Sequence, residues 1–411
     1  MKKTLLTICL VWMCFSLSAQ KIIDLSGKWS FSIDRQDNGE KEKWFSHTLN
    51  DFINLPGSMP EKQKGDEVTA KTQWTGSLYD SSYYYNPYME KYRKEGNIKF
   101  PFFLTPDKHY VGAAWYQKEV NIPADWKGER ILLFLERPHI ETTVWVNGQK
   151  TGMQNSLCVP HQYDITRYVR PGKCTITIRV DNRIKEINVG PDSHSITDQT
   201  QGNWNGIVGR ICLQTTPKTY FDDIQIYPEP EQKLARVKVV IKGTGTAKVK
   251  LSAESFNTDK KHIVPAIQQE IKLNKGVTET EMVLPMGNDM LLWDEFHPAL
   301  YKLKAEVTNG KKTEIKEIQF GMRRFEIKGK WFYVNGRKTQ LRGTVENCDF
   351  PLTGYAPMDV ESWERVFRIC RSYGLNHMRF HSFCPPEAAF MAADRVGFYL
   401  QPEGPSWPLS L

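Results

Sequence analysis

Two histidines have a spacing that suits metal binding. His377 and His381 form an H-x-x-x-H pair, which brings two imidazoles to one face when the segment is helical. Residues 375–380, however, have the pattern of a β-strand, and four residues of strand span about 13 Å. Two ligands that far apart cannot share one metal ion. The sequence therefore predicts no metal site, and no cofactor is expected.

Cysteine is the second residue type with its own chemistry. The chain has eight cysteines and no C-x-x-C pair. Cys9 and Cys14 lie in the amino-terminal segment, and the others are Cys158, Cys174, Cys212, Cys348, Cys370 and Cys384. Domains of this size do not need a disulfide framework, so these six thiols are predicted to be small buried hydrophobic groups. A Cys158–Cys174 disulfide stays open as an alternative.

The first 19 residues have the organisation of a secretory signal peptide. Two lysines precede an apolar stretch over residues 4–17, which is too short to span a bilayer, and small residues follow at 18 and 19. A lipid anchor at Cys14 is disfavoured because no small-residue motif precedes it. No later stretch is apolar enough to cross a membrane. We expect export to the periplasm or outside the cell, without a membrane anchor.

The composition is that of a large globular chain with a mixed surface. Its 411 residues are 40% hydrophobic and 25% charged, a balance that suits two to four domains. Removing the signal segment lowers the basic count from 55 to 53 against 47 acidic residues, which leaves a net charge of +6. Basic stretches are interleaved with glutamate, so no nucleic-acid partner is expected. The aromatic content of 12% suits β-sandwich cores and surfaces that stack on sugar rings.

Residues 20–218 have the pattern of an antiparallel β domain. Segments such as 29–33 and 174–180 alternate apolar and polar side chains, as half-buried strands do. Residues 142–146 also alternate, and the pair Asn147-Gly148 that follows them predicts a turn. Turn signals at short intervals favour a sandwich over βαβ units.

Residues 219–320 contain a second series of alternating strands. Residues 243–245, with two glycines, are predicted to turn the chain, and Asn309-Gly310 predicts a type I′ hairpin turn. About 100 residues of short strands suit an immunoglobulin-like sandwich.

The pattern changes in residues 321–411. A hairpin with strands at 331–334 and 338–341 is followed by a helix at 359–373, a strand at 375–380, a helix at 385–395 and a strand at 398–401. Alternation of strands and helices predicts the opening of a parallel α/β architecture.

Several segments in this order resemble glycoside hydrolase family 2, which contains β-galactosidases, β-glucuronidases and β-mannosidases. Each is weak alone, but together they run along nearly all of the mature chain. They are the sequences at 144–148 (VWVNG), 163–166 (YDIT), 202–207 (GNWNGI), 320–323 (FGMR), 341–343 (LRG), 374–379 (GLNHMR) and 393–397 (ADRVG).

The resemblance implies a multidomain, mainly β chain. The expected order is a signal peptide (1–19), a jelly-roll sugar-binding-like sandwich (20–218), an immunoglobulin-like sandwich (219–320) and part of a (β/α)8 TIM barrel (321–411). The family's retaining chemistry needs two carboxyl groups roughly 5–5.5 Å apart, one of them within an Asn-Glu pair. No Asn-Glu dipeptide occurs after Gly321, and 91 residues fall short of the roughly 250 of a whole barrel. We therefore expect a fragment that lacks both catalytic carboxylates.

The resemblance also implies a partial wall for a carbohydrate substrate at the carboxyl ends of the barrel strands. Arg342, Asn347, Asp349, His381 and Glu403 would surround the sugar next to the scissile bond, and Trp407 would stack on a sugar face. The alternatives are structural: Arg342 and Arg379 as ion-pair partners, and Glu403 as a residue that only orients its neighbours. His377 is predicted to be a packed residue.

Some positions depart from the galactosidase-like pattern. Val345 and Asn347 stand where such members have Asn and His, and Ser382 stands where they have His. The sequence therefore does not predict the sugar or the linkage, nor the oligomeric state.

A loop over residues 198–207 resembles the family's jelly-roll loop that approaches the barrel mouth. Substrate contact by Asp198 or Asn203 is one alternative there, and Trp204 is predicted to be packed in the sandwich core.

The leading hypothesis is the amino-terminal part of an exported retaining β-glycosidase that removes terminal β-linked sugars. The alternative is a non-catalytic carbohydrate-binding protein built from the two sandwiches. A third, weaker hypothesis is that the chain is a scaffold whose sandwiches make contacts with other proteins.

Overall fold

The structure is a computed structural model that describes most of the chain after the predicted signal peptide. The described residues are 20–69, 71–73, 75, 85–99, 104–185, 189–190, 193–198 and 200–406. The predicted signal peptide (1–19) and Trp407 lie outside them. Among the described residues, no helix is long and apolar enough to cross a membrane.

The first part of the chain forms two antiparallel sheets. Its strands are β1 (Ile22–Asp24), β2 (Gly27–Asp34), β3 (Asp51–Leu55), β4 (Gly57–Ser58), β5 (Asp66–Glu67), β6 (Lys108–His109), β7 (Ala113–Ile122), β8 (Arg130–Pro138), β9 (Glu141–Val146), β10 (Gln149–Asn155), β11 (His161–Asp164), β12 (Gly172–Asp181) and β13 (Gly206–Thr216). One sheet has the order β1-β13-β8-β11, with β4 beside β13, and the other has the order β10-β9-β12-β7-β2-β3. Strands β5 and β6 form a separate pair.

Alternation along the strands explains how the two sheets pack. Val144 of β9, Ile178 of β12, Leu133 of β8 and Leu213 of β13 are fully buried in one hydrophobic core that both sheets share. The Asn147-Gly148 turn is confirmed: Val146 pairs with Gln149, and the two turn residues have φ of 50° and 75°, as a type I′ turn requires.

The second part is built on one long bent hairpin. Its strands are β14 (Tyr220–Glu229), β15 (Leu234–Phe256), β16 (Ile263–Pro285), β17 (Leu300–Asn309) and β18 (Lys312–Phe320). The first half of β15 pairs with β14 and the second half pairs with β17, while β16 follows β15 along both halves. Apolar side chains from both halves share one core, as in a sandwich.

Two predicted turns in this part were wrong in detail. The glycines at 243 and 245 lie inside β15, where the pairing register with β16 shifts, so they form a bulge that bends the strand. In the β17–β18 hairpin, Asn309 pairs with Lys312, so the central turn residues are Gly310 and Lys311. Gly310 has φ of 60°, which fits the first central position of a type II′ turn.

The third part combines a small antiparallel sheet with a parallel one. Its elements are β19 (Phe325–Lys328), β20 (Trp331–Val334), β21 (Arg337–Thr339), β22 (Gly343–Glu346), α1 (Val360–Ser372), β23 (His377–Phe380), α2 (Glu387–Val396) and β24 (Tyr399–Gln401). Strands β22, β23 and β24 are parallel and lie in that order. Helix α1 begins after Asp359, whose Oδ1 accepts the Ser362 N–H at 2.7 Å, and ends before Gly374 (φ 78°), as predicted.

The first parallel strand is not where the pattern placed it. Residues 338–341 were expected to precede the barrel loop directly, but the hairpin they belong to forms its own sheet, β19-β20-β21. The parallel strand β22 starts only at Gly343. Arg342 therefore lies at the amino end of this strand and not after its carboxyl end.

All six described cysteines are free thiols, so the Cys158–Cys174 disulfide does not form in this structure. Cys174, Cys212 and Cys348 are buried, as predicted, and the other three are half-buried. In the described residues, no group of three or more His, Cys, Asp or Glu could hold a metal ion.

The parallel sheet exposes two edges within the described residues, because β22 and β24 each pair only with β23. We expect amide hydrogen exchange in β22–β24 to be roughly a hundredfold faster than in the interior strands β7 and β12. Hydrogen–deuterium exchange read by mass spectrometry measures this, with β7 and β12 as internal references. Equal protection of the two regions would contradict it.

Candidate functional site

The carboxyl ends of the three parallel strands bring four predicted residues to one edge. Asn347 and Asp349 follow β22, His381 follows β23, and Glu403 follows β24. Because the strands are parallel and in register, these positions share one end of the sheet. In proteins with parallel α/β sheets, ligands are bound at the carboxyl ends of the strands, so this edge is the candidate site.

Glu403 is fixed in place by β23 and the turn after it. Its Oε1 accepts the Nε–H of Arg379 at 2.5 Å, and its Oε2 accepts the Ser382 N–H at 2.9 Å. Burial raises the pKa of Glu403, but these hydrogen bonds outweigh it and leave the pKa below its usual value. The carboxylate is thus ionised and paired with Arg379, which has the ion-pair role that was its alternative.

Asn347 and His381 are neighbours across the first two strands. His381 Nδ1 lies 3.3 Å from Asn347 Oδ1, and the His381 N–H donates to the carbonyl oxygen of Glu346 at 2.9 Å. An amide and an imidazole side by side offer both donors and acceptors, which suits the hydroxyl groups of a sugar.

Glu346, at the end of β22, was missed by the sequence analysis. Its Oε1 accepts the Cys348 N–H at 3.0 Å, and its buried Oε2 has no hydrogen-bond partner in the described structure. Burial, and then the negative charge of Asp349, raise the pKa of Glu346 to about 7; burial also raises the pKa of Asp349. A carboxylate at the last position of a parallel strand is a signal for a site. The sequence pattern placed the first parallel strand at 338–341 and not at β22, so it did not give Glu346 this position.

The turns after β22 and β23 have strained backbones. Cys348 has φ of 66° and Ser382 has φ of 58°, in the left-handed region that non-glycine residues rarely adopt. Such conformations persist only where the surroundings hold them, and they cluster at binding and catalytic sites. Here the surroundings include the Glu346 and Glu403 carboxylates, which accept the N–H groups of Cys348 and Ser382.

A loop of the first sandwich packs on this edge. Ser193 Oγ and Ser195 Oγ donate to the carbonyl oxygens of Pro405 and Ser382, the latter at 3.4 Å. His194 Nδ1 lies 3.0 Å from the carbonyl oxygen of His381, so this nitrogen carries the proton.

The same loop reaches the turn after β22. The Cys348 thiol lies 3.1 Å from Gln201 Oε1, and both side chains are buried. The sandwich thereby supports the turns after both β22 and β23.

The residues of this loop singled out in the sequence are internal. Asp198 is fully buried and accepts the Thr75 N–H at 2.7 Å, and Asn203 bonds to the backbone of Asn182. Trp204 is buried, but it stacks on His139 at 4.4 Å and contacts Tyr355, so it packs between the sandwich and the third part.

Arg342 is separated from the other predicted residues. Its Nε donates to the Gly374 carbonyl at 2.7 Å and its Nη1 to the Gln340 carbonyl at 3.2 Å, at the amino end of the sheet. Its Nη2 lies 3.7 Å from Glu295. Arg342 therefore connects the third part of the chain, through Gly374 and Gln340, to Glu295 of the second part.

Sequence comparisons identify the family. Residues 22–217 match the profile described as "Glycosyl hydrolases family 2, sugar binding domain", and residues 219–323 match "Glycosyl hydrolases family 2". These matches cover nearly three quarters of the chain. The chain belongs to glycoside hydrolase family 2.

Curated relatives in the family are similar at low identity. Human β-glucuronidase is 24% identical over 423 residues, which cover 94% of this chain and 58% of the relative. A β-galactosidase from Thermoanaerobacter pseudethanolicus is 24% identical over 330 residues, with 76% and 42% covered. The chain thus spans about half the length of these relatives.

Solved structures show the same fold. β-Glucuronidase from Ruminococcus gnavus in complex with D-glucaro-d-lactam superposes with a TM-score of 0.68 at 18% identity, covering 94% of this chain and 60% of that one. A family 2 member from Bacteroides cellulosilyticus superposes with a TM-score of 0.66 at 19% identity, with 93% and 47% covered.

The raised pKa of Glu346 makes a prediction about stability. Its carboxyl ionises near pH 4.5 in the unfolded chain and near 7 in the folded protein, so rising pH across that window lowers the free energy of unfolding. In Glu346→Gln this titration is absent. We expect the variant to gain up to about 3 kcal/mol relative to the parent between pH 4.5 and 7. Urea unfolding at several pH values measures it.

The matched control is Glu361→Gln, which removes one charge from an exposed position on α1. A stability difference between Glu346→Gln and the parent that stays constant from pH 4.5 to 7 would mean that Glu346 ionises normally in the folded protein.

Proposed function

We propose that the carboxyl edge of β22–β24 is part of the sugar pocket of a retaining β-glycosidase that hydrolyses terminal β-linked sugars. The observation that carries this proposal is the gathering of Asn347, Asp349, His381 and Glu403 at one edge of a parallel sheet. The family supports it, because its curated members include β-glucuronidases and β-galactosidases.

The four side chains at this edge offer different hydrogen bonds to a sugar. Asn347 and Asp349 are exposed and can exchange hydrogen bonds with hydroxyl groups. His381 lies next to Asn347 and adds its imidazole to the polar groups that a sugar can contact. Glu403 is ionised, so its carboxylate can accept a charge-assisted hydrogen bond from a hydroxyl while Arg379 keeps it oriented.

The same geometry bears on catalysis. Retaining hydrolysis needs one carboxyl group as acid/base and a second as nucleophile. Glu403 is engaged by Arg379 and Ser382, and Glu346 is half-buried and accepts the Cys348 N–H. We propose that neither is a catalytic group, that both catalytic carboxylates lie outside this chain, and that β22–β24 are the first strands of a (β/α)8 barrel.

The remaining assignments complete the proposal. Residues 1–19 act as a signal peptide for export to the periplasm or the exterior, and residues 20–218, 219–320 and 321–411 form the jelly-roll, immunoglobulin-like and partial barrel domains. The partner is a β-linked oligo- or polysaccharide, and the reaction uses no cofactor. Trp407 would add a stacking surface.

Sugar binding by this edge can be measured directly. We expect methyl β-D-glucuronide or methyl β-D-galactoside to shift NMR signals of residues at the carboxyl edge, and Asn347→Ala to weaken that binding roughly fivefold, the worth of one hydrogen bond. Asn274→Ala, at an exposed position of β16, is the matched control. Equal affinities of the two variants, or no shift with either glycoside, would contradict a sugar pocket here.

Hydrolysis tests the catalytic part of the proposal. Purified residues 20–411 are expected to release no 4-nitrophenol above background from a panel of 4-nitrophenyl β-glycosides, because the two carboxyl groups of the mechanism are missing. Sustained turnover would show that the chain itself holds both groups. A chain that binds sugars only through its sandwiches and not at Asn347 would favour the carbohydrate-binding alternative.

A further inference from the structure

A groove of about 570 Å³ lies at one end of the first sandwich, and it shares no residue with the candidate sugar pocket. It runs between the segment after β7, which includes Trp126 and Gly128, and the segment after β11, which includes Val169 and Pro171. Lys218, which follows β13, also lines the groove.

The floor of this groove is formed by apolar side chains of the sandwich core. Ile122, Trp126, Ile131 and Val169 line it, and each is almost fully buried in the sandwich core. Pro171 is exposed on the rim. Because these core side chains expose little surface, the apolar surface that a ligand can reach is Pro171 and the aliphatic parts of the exposed lysines, which suits ring C–H groups.

The carboxylates around the groove are already neutralised. Asp164 accepts the Nε–H of Arg130 at 2.8 Å, and Glu129 is paired with Lys312 of the second part. Asp125, next to the groove, is paired with Lys21 at 2.5 Å.

Three cations of the groove have no such partner. Lys127, Arg170 and Lys218 are exposed, and none forms an ion pair with a carboxylate in the part of the chain that the structure describes. Within the described part of the chain, the Arg170 side chain donates to the carbonyl of Val169, at 2.7 Å. The groove therefore carries an excess of positive charge over an apolar floor.

We propose that this groove binds an anionic oligosaccharide, one that carries carboxylate groups on its sugar rings. Ring C–H groups would pack on Pro171 and on the aliphatic parts of the lysines, and the carboxylates would pair with Lys127, Arg170 and Lys218. Nucleic acid is less suited, since the groove offers no exposed aromatic ring on which a base could stack: Trp126 is only 3% exposed. An acidic peptide could pair with the same cations, but its aspartate and glutamate side chains present no ring face to Pro171. The site would hold a polymeric substrate by a second point of attachment.

The test uses tetragalacturonate as probe and its methyl ester as the matched neutral probe, because the two differ in charge and not in sugar or linkage. Isothermal calorimetry on residues 20–411 should show binding of the acid that weakens with salt, and much weaker binding of the ester. The variant Lys127→Gln/Arg170→Gln/Lys218→Gln should bind the acid roughly tenfold more weakly, since each exposed charge contributes a factor of about two.

A second triple variant, Lys41→Gln/Lys260→Gln/Lys275→Gln, removes the same charge from exposed positions elsewhere and should bind as the parent does. Equal loss of affinity in both variants would reduce the effect to net charge, and equal binding of acid and ester would remove the charge requirement. Poly-glutamate binding as tightly as tetragalacturonate would overturn the choice of a saccharide. Because Asn347→Ala leaves this groove intact, the proposal and the sugar pocket at the parallel sheet stand or fall separately.

Discussion

Parallel pairing of three short strands is the constraint on which the candidate site depends. With β22, β23 and β24 in parallel register, every residue that follows a strand arrives at the same edge. The Glu403 carboxylate then ties this edge together, because it accepts from Arg379 within β23 and from Ser382 in the turn after it. The Arg379–Glu403 ion pair thus holds the segment after β24 against the neighbouring strand β23.

The first sandwich contributes to this arrangement from outside the sheet. In its loop, residues 193–195 bond to the carbonyl oxygens of Pro405, His381 and Ser382, which follow β23 and β24. At the turn after β22 the direction is reversed, because the Cys348 thiol donates to Gln201 Oε1. The position of the candidate site is therefore a joint property of two parts of the chain.

The junction between the second and third parts is equally specific. Trp293 Nε1 donates to the Asp394 carbonyl at 2.7 Å, and Gln319 donates to the Asp394 carboxylate at 3.0 Å. Arg371 Nη1 donates to the carbonyl oxygens of Glu295, Val396 and Gly397. The contacts of Trp293 and Gln319 with Asp394, and that of Arg371 with Glu295, cross the junction and fix how the third part sits on the second.

The sequence by itself determined the local features that depend on neighbouring residues. Alternation predicted the sandwich strands, Asn147-Gly148 predicted a turn, Asp359 predicted the start of α1, and ordered motifs indicated the family. Tertiary structure decided what depends on distant partners. Pairing within β19-β20-β21 moved the first parallel strand past Arg342, and burial beside Asp349 raised the pKa of Glu346. Strand pairing and burial are set by residues far apart in the chain, and no local pattern encodes them.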